Sequence, residues 1–423
     1  AKVGAYLGHT PKMRVGRTCV DAKRGVVLMK AVVVGAGIAG LATAWWLERS
    51  GWDVQVVERA PRFRTGGYMI DFFGPGFEVA RRMGLVPALE RFRAPISDVT
   101  SVDAQGRAKS KLDATAYETV ANGGISLLRA DLARVLADEV MAPVQFGVTV
   151  DEVEQTAAGV LARLSDGTVV EADLLVGADG VHSRVRELVF GPWQDFVRYL
   201  GFHAAAYSVA EPELSARIGM RYQMLTLPNR MVGCYSVGDG GLATLFLYRD
   251  EHWQLPDPEH ALTARFGDLG WVTPDLLRIQ PPDLYFDQVC QVEMTSWHHG
   301  RVVLVGDACG AVSLFAGHGA SLAMAGAYVL AQELSATEDM VGALERYEAR
   351  MMPVVTRTQA FGRGFIEWMA PSSRWRIVAR DWLFRLSGLP VVRRLLRDSV
   401  TPDAGAVLDR TERGDHPASP RHG

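Results

Sequence analysis

Apolar positions along the chain follow two alternating periods. Ala31 to Val34 form an unbroken apolar run, as in a strand covered on both faces of a parallel sheet. Glycines follow, then an apolar-rich stretch from Ile38 to Leu47 that predicts a helix, closed by Gly51 at a C′-like position. "DVQVVE" predicts a second strand and completes a βαβ unit of about 30 residues. Short helical pieces are expected between 70 and 100. "LLRADLARVLADEV" (127–140) places Leu132, Val135 and Leu136 on one helical face. "DEVEQTAAGVLARLSDGTVVEADLLVGADG" reads as a hairpin turning at Asp166-Gly167, followed by a buried strand.

Between 198 and 290 the pattern changes to β-formers punctuated by turn signals, which predicts a mostly antiparallel sheet. "GRVVLVGDA" returns to the buried-strand pattern. A helix is predicted over Ala320 to Leu334, and more helix to about 365. The last helical stretch, "SSRWRIVARDWLFRLSGLPVVRRLLRD", interleaves Trp, Ile, Leu and Phe with Arg. It fits either a membrane-surface helix or a helix docked on its own domains, and docking is the expectation. These elements describe an α/β protein with a mostly antiparallel second layer.

A length of 423 residues implies two or three domains. The net charge of −3 gives no sign of a nucleic-acid partner, and no apolar run is long enough for a transmembrane segment. The four cysteines, at 19, 234, 290 and 309, show no paired spacing. They are read as reduced thiols of a cytoplasmic protein, without disulfide or metal. Residues 1–28 carry many Arg and Lys and are expected to be a flexible extension. Residues 401–423 are expected to be a disordered tail.

Three motifs carry chemistry. Gly35, Ala36, Gly37, Ile38, Ala39 and Gly40 form a G-x-G-x-x-G between strand and helix, where backbone N–H groups and the helix N-terminus suit a pyrophosphate. Glu58, ending the second strand, is placed for adenosine ribose hydroxyls. In "LLVGADGVHSRVR", Asp179-Gly180 follows a buried strand, so the acid either meets a ligand or caps the next helix. "GDACGAVSLFAGHGAS" sets Asp307 at a strand end, for a ribityl hydroxyl. Gly317 and Gly319 then allow backbone to approach a flat ring before a helix N-terminus.

In this order and spacing the motifs resemble the class A FAD-dependent aromatic hydroxylases, the group of para-hydroxybenzoate hydroxylase. "VVERAPRFRTGGYMIDFFGPGFEVARRMGL" is most similar to the tetracycline-inactivating monooxygenases and related actinobacterial natural-product oxygenases. The resemblance spans roughly residues 29–390. It implies a Rossmann-like FAD-binding domain (29–75, 100–187 and 288–345), a substrate domain (76–99 and 188–287) and C-terminal helices (346–400). It assigns the glycines to pyrophosphate, Glu58 and Arg59 to the adenosine side, and Gly67, Asp71 and Arg129 to FAD. Arg64 is associated with NADPH, and Asp179 and Gly180 with both nucleotides. Asp307 is assigned to the ribityl or pyrophosphate region, with Gly317, His318, Gly319, Ala320 and Ser321 under the isoalloxazine. Arg64 and Arg129 also read as ordinary surface arginines.

The implied reaction is hydroxylation of a polycyclic or polyketide-like small molecule in secondary metabolism. NADPH or NADH would act as transient reductant, and a flavin C4a-hydroperoxide formed with O2 as oxygen donor. Tyr222, Met224, Phe246 and Tyr248 are candidate substrate contacts on the sheet. His203, His298, His299 and His318 are the visible general bases. His318 is the most interesting, though a backbone-positioning role with its ring in solvent is expected. Cys309 reads as a small packed residue rather than a covalent flavin link. Two departures from the family stand out: Gly310 where a His is usual, and "VSLF" without a Pro. They motivate a second hypothesis, a non-redox cyclase that keeps FAD as a scaffold.

Overall fold

A computed structural model of the chain describes residues 28–63, 68–112, 123–282, 284–387, 389 and 407–409. The expectations for residues 1–27, Arg64 and Gly67 lie outside the described residues.

The strand Lys30–Val34 is buried from Ala31 onward and runs parallel to both neighbours, Asp53–Glu58 and Leu174–Gly177. Burial on both faces is why its sequence lacks alternation. Val144–Phe146 adds outside Asp53–Glu58, and Val302–Leu304 outside Leu174–Gly177. Together with His298–His299 they make six strands. Helix Ile38–Arg49 follows the first strand, and Ala39, Gly40, Ala42 and Ala44 along it are all buried. Helix Gly319–Ser335 lies against it. The expected hairpin is a three-stranded meander, Val150–Gln155, Val160–Leu164 and Val169–Ala172, which turns at Asp166-Gly167 as read from the sequence.

A second sheet has seven strands. In order they are Tyr285–Val292, Val197–Ala210, Gly241–Arg249, Arg230–Gly238, Tyr222–Leu227, Val99–Val102 and Ala108–Leu112. All pairs are antiparallel except Val99–Val102 with Tyr222–Leu227. This corrects the expected boundaries. Residues 99–112 belong to the second sheet rather than to the nucleotide layer. Val79 and Ala80 of helix Pro75–Arg82, Leu89 of helix Val86–Leu89 and Leu85 between them are buried in the core of the first sheet.

Helices Pro258–Phe266 and Thr273–Arg278 cover the far face of the second sheet through Leu262, Phe266 and Leu276. The near face meets Phe315 of the turn Leu314–Ala316, Ile366 and Met369 of the long helix Met340–Met369, and Phe384 of helix Arg374–Arg385. The tail is not wholly free. Val407 and Leu408 are buried in the first core, and Arg350 Nη2 donates to the Val407 carbonyl at 2.8 Å. Among the described residues, no helix is long and apolar enough to cross a membrane.

Candidate functional site

The glycine turn has the geometry its sequence implies. Gly35 has φ +105°, and an added Cβ would stand 2.5 Å from the Ala178 carbonyl oxygen; at Gly40 a Cβ would stand 1.8 Å from the Gly35 oxygen. Only hydrogen side chains let strand and helix close this tightly. Glu58 accepts from Ala36 N at 2.8 Å and from Ala60 N at 2.7 Å, so its carboxylate braces the turn with both oxygens. Each oxygen keeps a lone pair for a ribose hydroxyl. Arg59 is exposed beside it.

Gly37, Arg129, Asp307 and Gly319 line one crevice. A Cβ at Gly37 would lie 3.9 Å from an Arg129 guanidinium nitrogen, and one at Gly319 would lie 3.8 Å from Asp307 Oδ1. Arg129 opens helix Arg129–Glu139, and its backbone N–H donates to the Tyr68 carbonyl at 3.0 Å. Among the described residues the Asp307 carboxylate accepts no hydrogen bond. Desolvation pushes its pKa above the ordinary carboxylate value, with the Arg129 guanidinium opposing.

Three residues of this crevice were missed from sequence. The rings of Tyr68 and Tyr285 lie 5.4 Å apart, and burial raises both phenols, with Asp307 and Asp287 adding and Arg129 opposing. Tyr285 and Asp287 come from the edge strand of the second sheet, so the crevice forms where the two sheets meet. An aromatic-acid pair in "LYFD" was the only sequence signal.

Asp71 pairs across strands with Ser126, whose hydroxyl donates to it at 2.6 Å. Asp179 takes the capping alternative. It accepts from Ser183 Oγ at 2.5 Å and from the backbone N–H groups of Arg184 and Val185 at 2.7 and 3.1 Å. Burial still raises its pKa, against those bonds. Gly180 follows with φ +82°. The fully buried Arg186, also missed, donates to Ala308 O at 2.8 Å and Val181 O at 2.6 Å, and so ties the Asp179 turn to the Asp307 turn.

The cradle loop, residues 306–321, brings one correction. The His318 ring is buried rather than in solvent. It stands edge-on to Phe73 at 4.8 Å and Phe361 at 6.1 Å, and its Nδ1 meets the Ala316 carbonyl. Burial lowers its pKa, so it is a neutral wall of the cradle and a poor proton acceptor. Ser321 holds backbone: its hydroxyl donates to Phe73 O at 2.6 Å and accepts from Gly76 N at 2.8 Å. Gly317 is left-handed at φ +70°, and Gly319 and Ala320 open the helix.

Both departures from the family pattern have packing reasons. A Cβ at Gly310 would lie 2.8 Å from Val355 Cγ1 and 3.4 Å from Trp297. Ser313 has φ +80°, which proline's ring forbids.

The other candidates are dispersed. Tyr222 and Met224 are buried on the near face of the second sheet. Phe246 and Tyr248 pack on the far face. Met224 pairs with Gly233 and Gly233 with Leu245, so Leu245 shares its face and Phe246 does not. His203 is buried against the Tyr248 hydroxyl at 3.0 Å, His298 contacts Glu348 at 3.0 Å, and His299 is exposed beside Gln155. Cys309 is a buried free thiol, as are Cys234 and Cys290.

Comparison with known proteins agrees with this geometry. The FAD-binding domain family matches residues 29–361. A flavin-dependent monooxygenase of Legionella longbeachae is 30% identical, over 79% of this chain and 88% of its own length. The chain belongs to the FAD-dependent monooxygenases. This monooxygenase is also 37% identical to an uncharacterised protein of Mycobacterium tuberculosis, over 78% and 92% of the two chains. Among solved structures it is similar to tetracycline destructase Tet(51), with 29% identity, TM-score 0.73 and coverage of 89% and 99%. It is also similar to a Klebsiella pneumoniae HpxO variant complexed with FAD, with 25% identity, TM-score 0.74 and coverage of 88% and 98%. FAD is its cofactor. The turn a Cβ would fill, and the Asp307 carboxylate that accepts no hydrogen bond among the described residues, fit a group rich in phosphate and hydroxyl oxygens.

Proposed function

We propose that this monooxygenase takes electrons from NADH or NADPH and oxygenates a planar, polycyclic or polyketide-like molecule of secondary metabolism. The observation that carries this reading is a run of aromatic rings leaving the cradle. From His318 it continues to Phe361, then to Phe365 at 5.6 Å and Trp368 at 5.4 Å, the last two contacts stacked. These helix residues are only partly buried, and Phe365 and Trp368 pack toward the near face that carries Tyr222 and Met224. Flat aromatic walls beside a flavin suit a flat apolar substrate. The likeness to a tetracycline destructase favours the same polycyclic class.

In this reading the Gly35–Gly40 turn and its helix N-terminus hold the pyrophosphate. Glu58 and Arg59 face the adenosine side, Asp71 and Arg129 steady the flavin, and Asp307 takes a ribityl hydroxyl. Asp179 and Arg186 shape the adjoining wall where a nicotinamide nucleotide approaches. Bound FAD supplies the redox and oxygen chemistry; the chain supplies position and a site poor in water. The buried, neutral His318 keeps the cradle floor uncharged. Gly310 and Ser313 have local steric accounts, and the names of the relatives support the oxygenase reading over the scaffold-only cyclase.

Anaerobic mixing of the FAD-loaded protein with NADH or NADPH, with and without planar polycyclic phenols, tests the reading. Flavin absorbance should bleach, faster when a suitable phenol is present. A flavin that neither nucleotide reduces under any of these conditions refutes it.

A further inference from the structure

Helix Arg374–Arg385 has two apolar faces, and the protein covers only one. Ile377, Arg380, Asp381 and Phe384 point inward. Arg380 donates to the Met369 carbonyl at 3.1 Å and to Thr226 Oγ1 at 3.0 Å. Arg385 donates to the Lys109 carbonyl, and the Lys109 ammonium lies 2.9 Å from Asp381. The helix is therefore fixed to the strand Ala108–Leu112 and is not a loose arm.

Its outward face carries Trp375, Val378 and Trp382, at steps of three and four residues, and Leu386 and Leu389 follow just past the helix end. Their exposures are 68%, 51%, 55%, 44% and 52%. A water-facing helix normally carries polar residues there. Arg374, Arg376 and Arg385 flank the stripe, all exposed, and among the described residues no acid pairs with them. Arg376 lies over the Trp375 ring at 5.6 Å and Arg385 over the Trp382 ring at 5.2 Å. The helix's one acid, Asp381, is buried on the other face. Among the described residues of the helix the exposed charges are thus all positive, on a chain whose net charge is −3.

We propose that this face seats the protein peripherally on an anionic lipid surface. Indole rings favour the boundary between headgroups and acyl chains, and arginines beside them reach anionic headgroups. A second copy of the chain is the poorer occupant, because a two-fold contact through this face sets arginine against arginine. The seat is independent of the substrate reading, since the stripe lies on the side of the helix opposite the buried Ile377, Arg380, Asp381 and Phe384.

Vesicle sedimentation of the full FAD-loaded chain tests it. Vesicles of phosphatidylcholine and phosphatidylglycerol, about 2:1, should bind the protein, and pure phosphatidylcholine should bind it roughly ten-fold less or weaker. Salt should release it. Trp375→Ala with Trp382→Ala should abolish binding, and Arg374→Glu with Arg376→Glu should weaken it about ten-fold. Both pairs are at the surface, and unchanged flavin content shows that they fold. Three outcomes overturn the proposal: no binding to anionic vesicles by wild type, equal binding by the tryptophan variant, or no vesicle binding alongside a concentration-dependent dimer or captured protein partner that the tryptophan variant loses.

Discussion

Asp307 is the residue whose surroundings say most. Its carboxylate is desolvated, faces the glycine start of a helix and has no protein hydrogen bond among the described residues. Asp307→Ala should weaken FAD binding by about ten- to a hundred-fold, the usual worth of a charge-assisted hydrogen bond. A flavin titration of the apoprotein measures this, and unchanged affinity removes Asp307 from the site. Ser321 should behave differently. Ser321→Ala strands the Gly76 N–H and should cost about 1–3 kcal/mol in urea unfolding. The sequence showed Asp307 and the glycine turn because their logic is local: strand, turn, helix. It concealed the Ser321 contact because its partner Phe73 is 248 residues away. At Asp179 local sequence left a ligand and a cap open, and the following N–H groups took the carboxylate.

At the scale of elements, the lesson is register. Alternation in "FLYRD" shows which residues share a face of one strand, but not which face meets the cleft. Antiparallel pairing put Leu245 beside Met224 and turned Phe246 away, toward Phe266 at 5.2 Å. Phe246→Ala should therefore cost about 3–5 kcal/mol of stability and leave the KM of the folded fraction unchanged. Tyr222→Ala should raise KM. Equal KM effects from the two would reject the assignment of faces. The parallel pairing of Val99–Val102 with Tyr222–Leu227 was equally hidden, because it joins segments far apart in sequence. The tail is another such case. Val407 and Leu408 are buried within a stretch whose composition reads as disordered, so truncation before Thr401 should lower Tm by a few degrees.

For the whole molecule, two layers bury imidazoles. Burial holds both His203, in the second sheet, and His318, in the cradle, below the ordinary histidine pKa. Unfolding at a pH under about 6.5 must add a proton to each, so the unfolded state binds more protons there and stability is lost as the pH is lowered. The free energy of unfolding should fall from about pH 7.5 to 5.5 by up to roughly 1.4 kcal/mol per pH unit for each histidine, and Tm should fall with it. His203→Gln should flatten that slope; a slope unchanged in the variant would contradict the assignment. The same two-layer design makes the candidate site. The first sheet supplies the glycine turn and Asp307, the second supplies Tyr285 and the apolar near face, and the long helix joins them with its aromatic run. The central claim is that this architecture transfers oxygen rather than merely holding a flavin. Mass spectrometry of products formed from a planar polycyclic phenol, NADPH or NADH and isotopically labelled dioxygen tests it most directly. The account predicts a product carrying one labelled oxygen atom, formed only when nucleotide is supplied. A product isomeric with its substrate, formed without nucleotide, would contradict it.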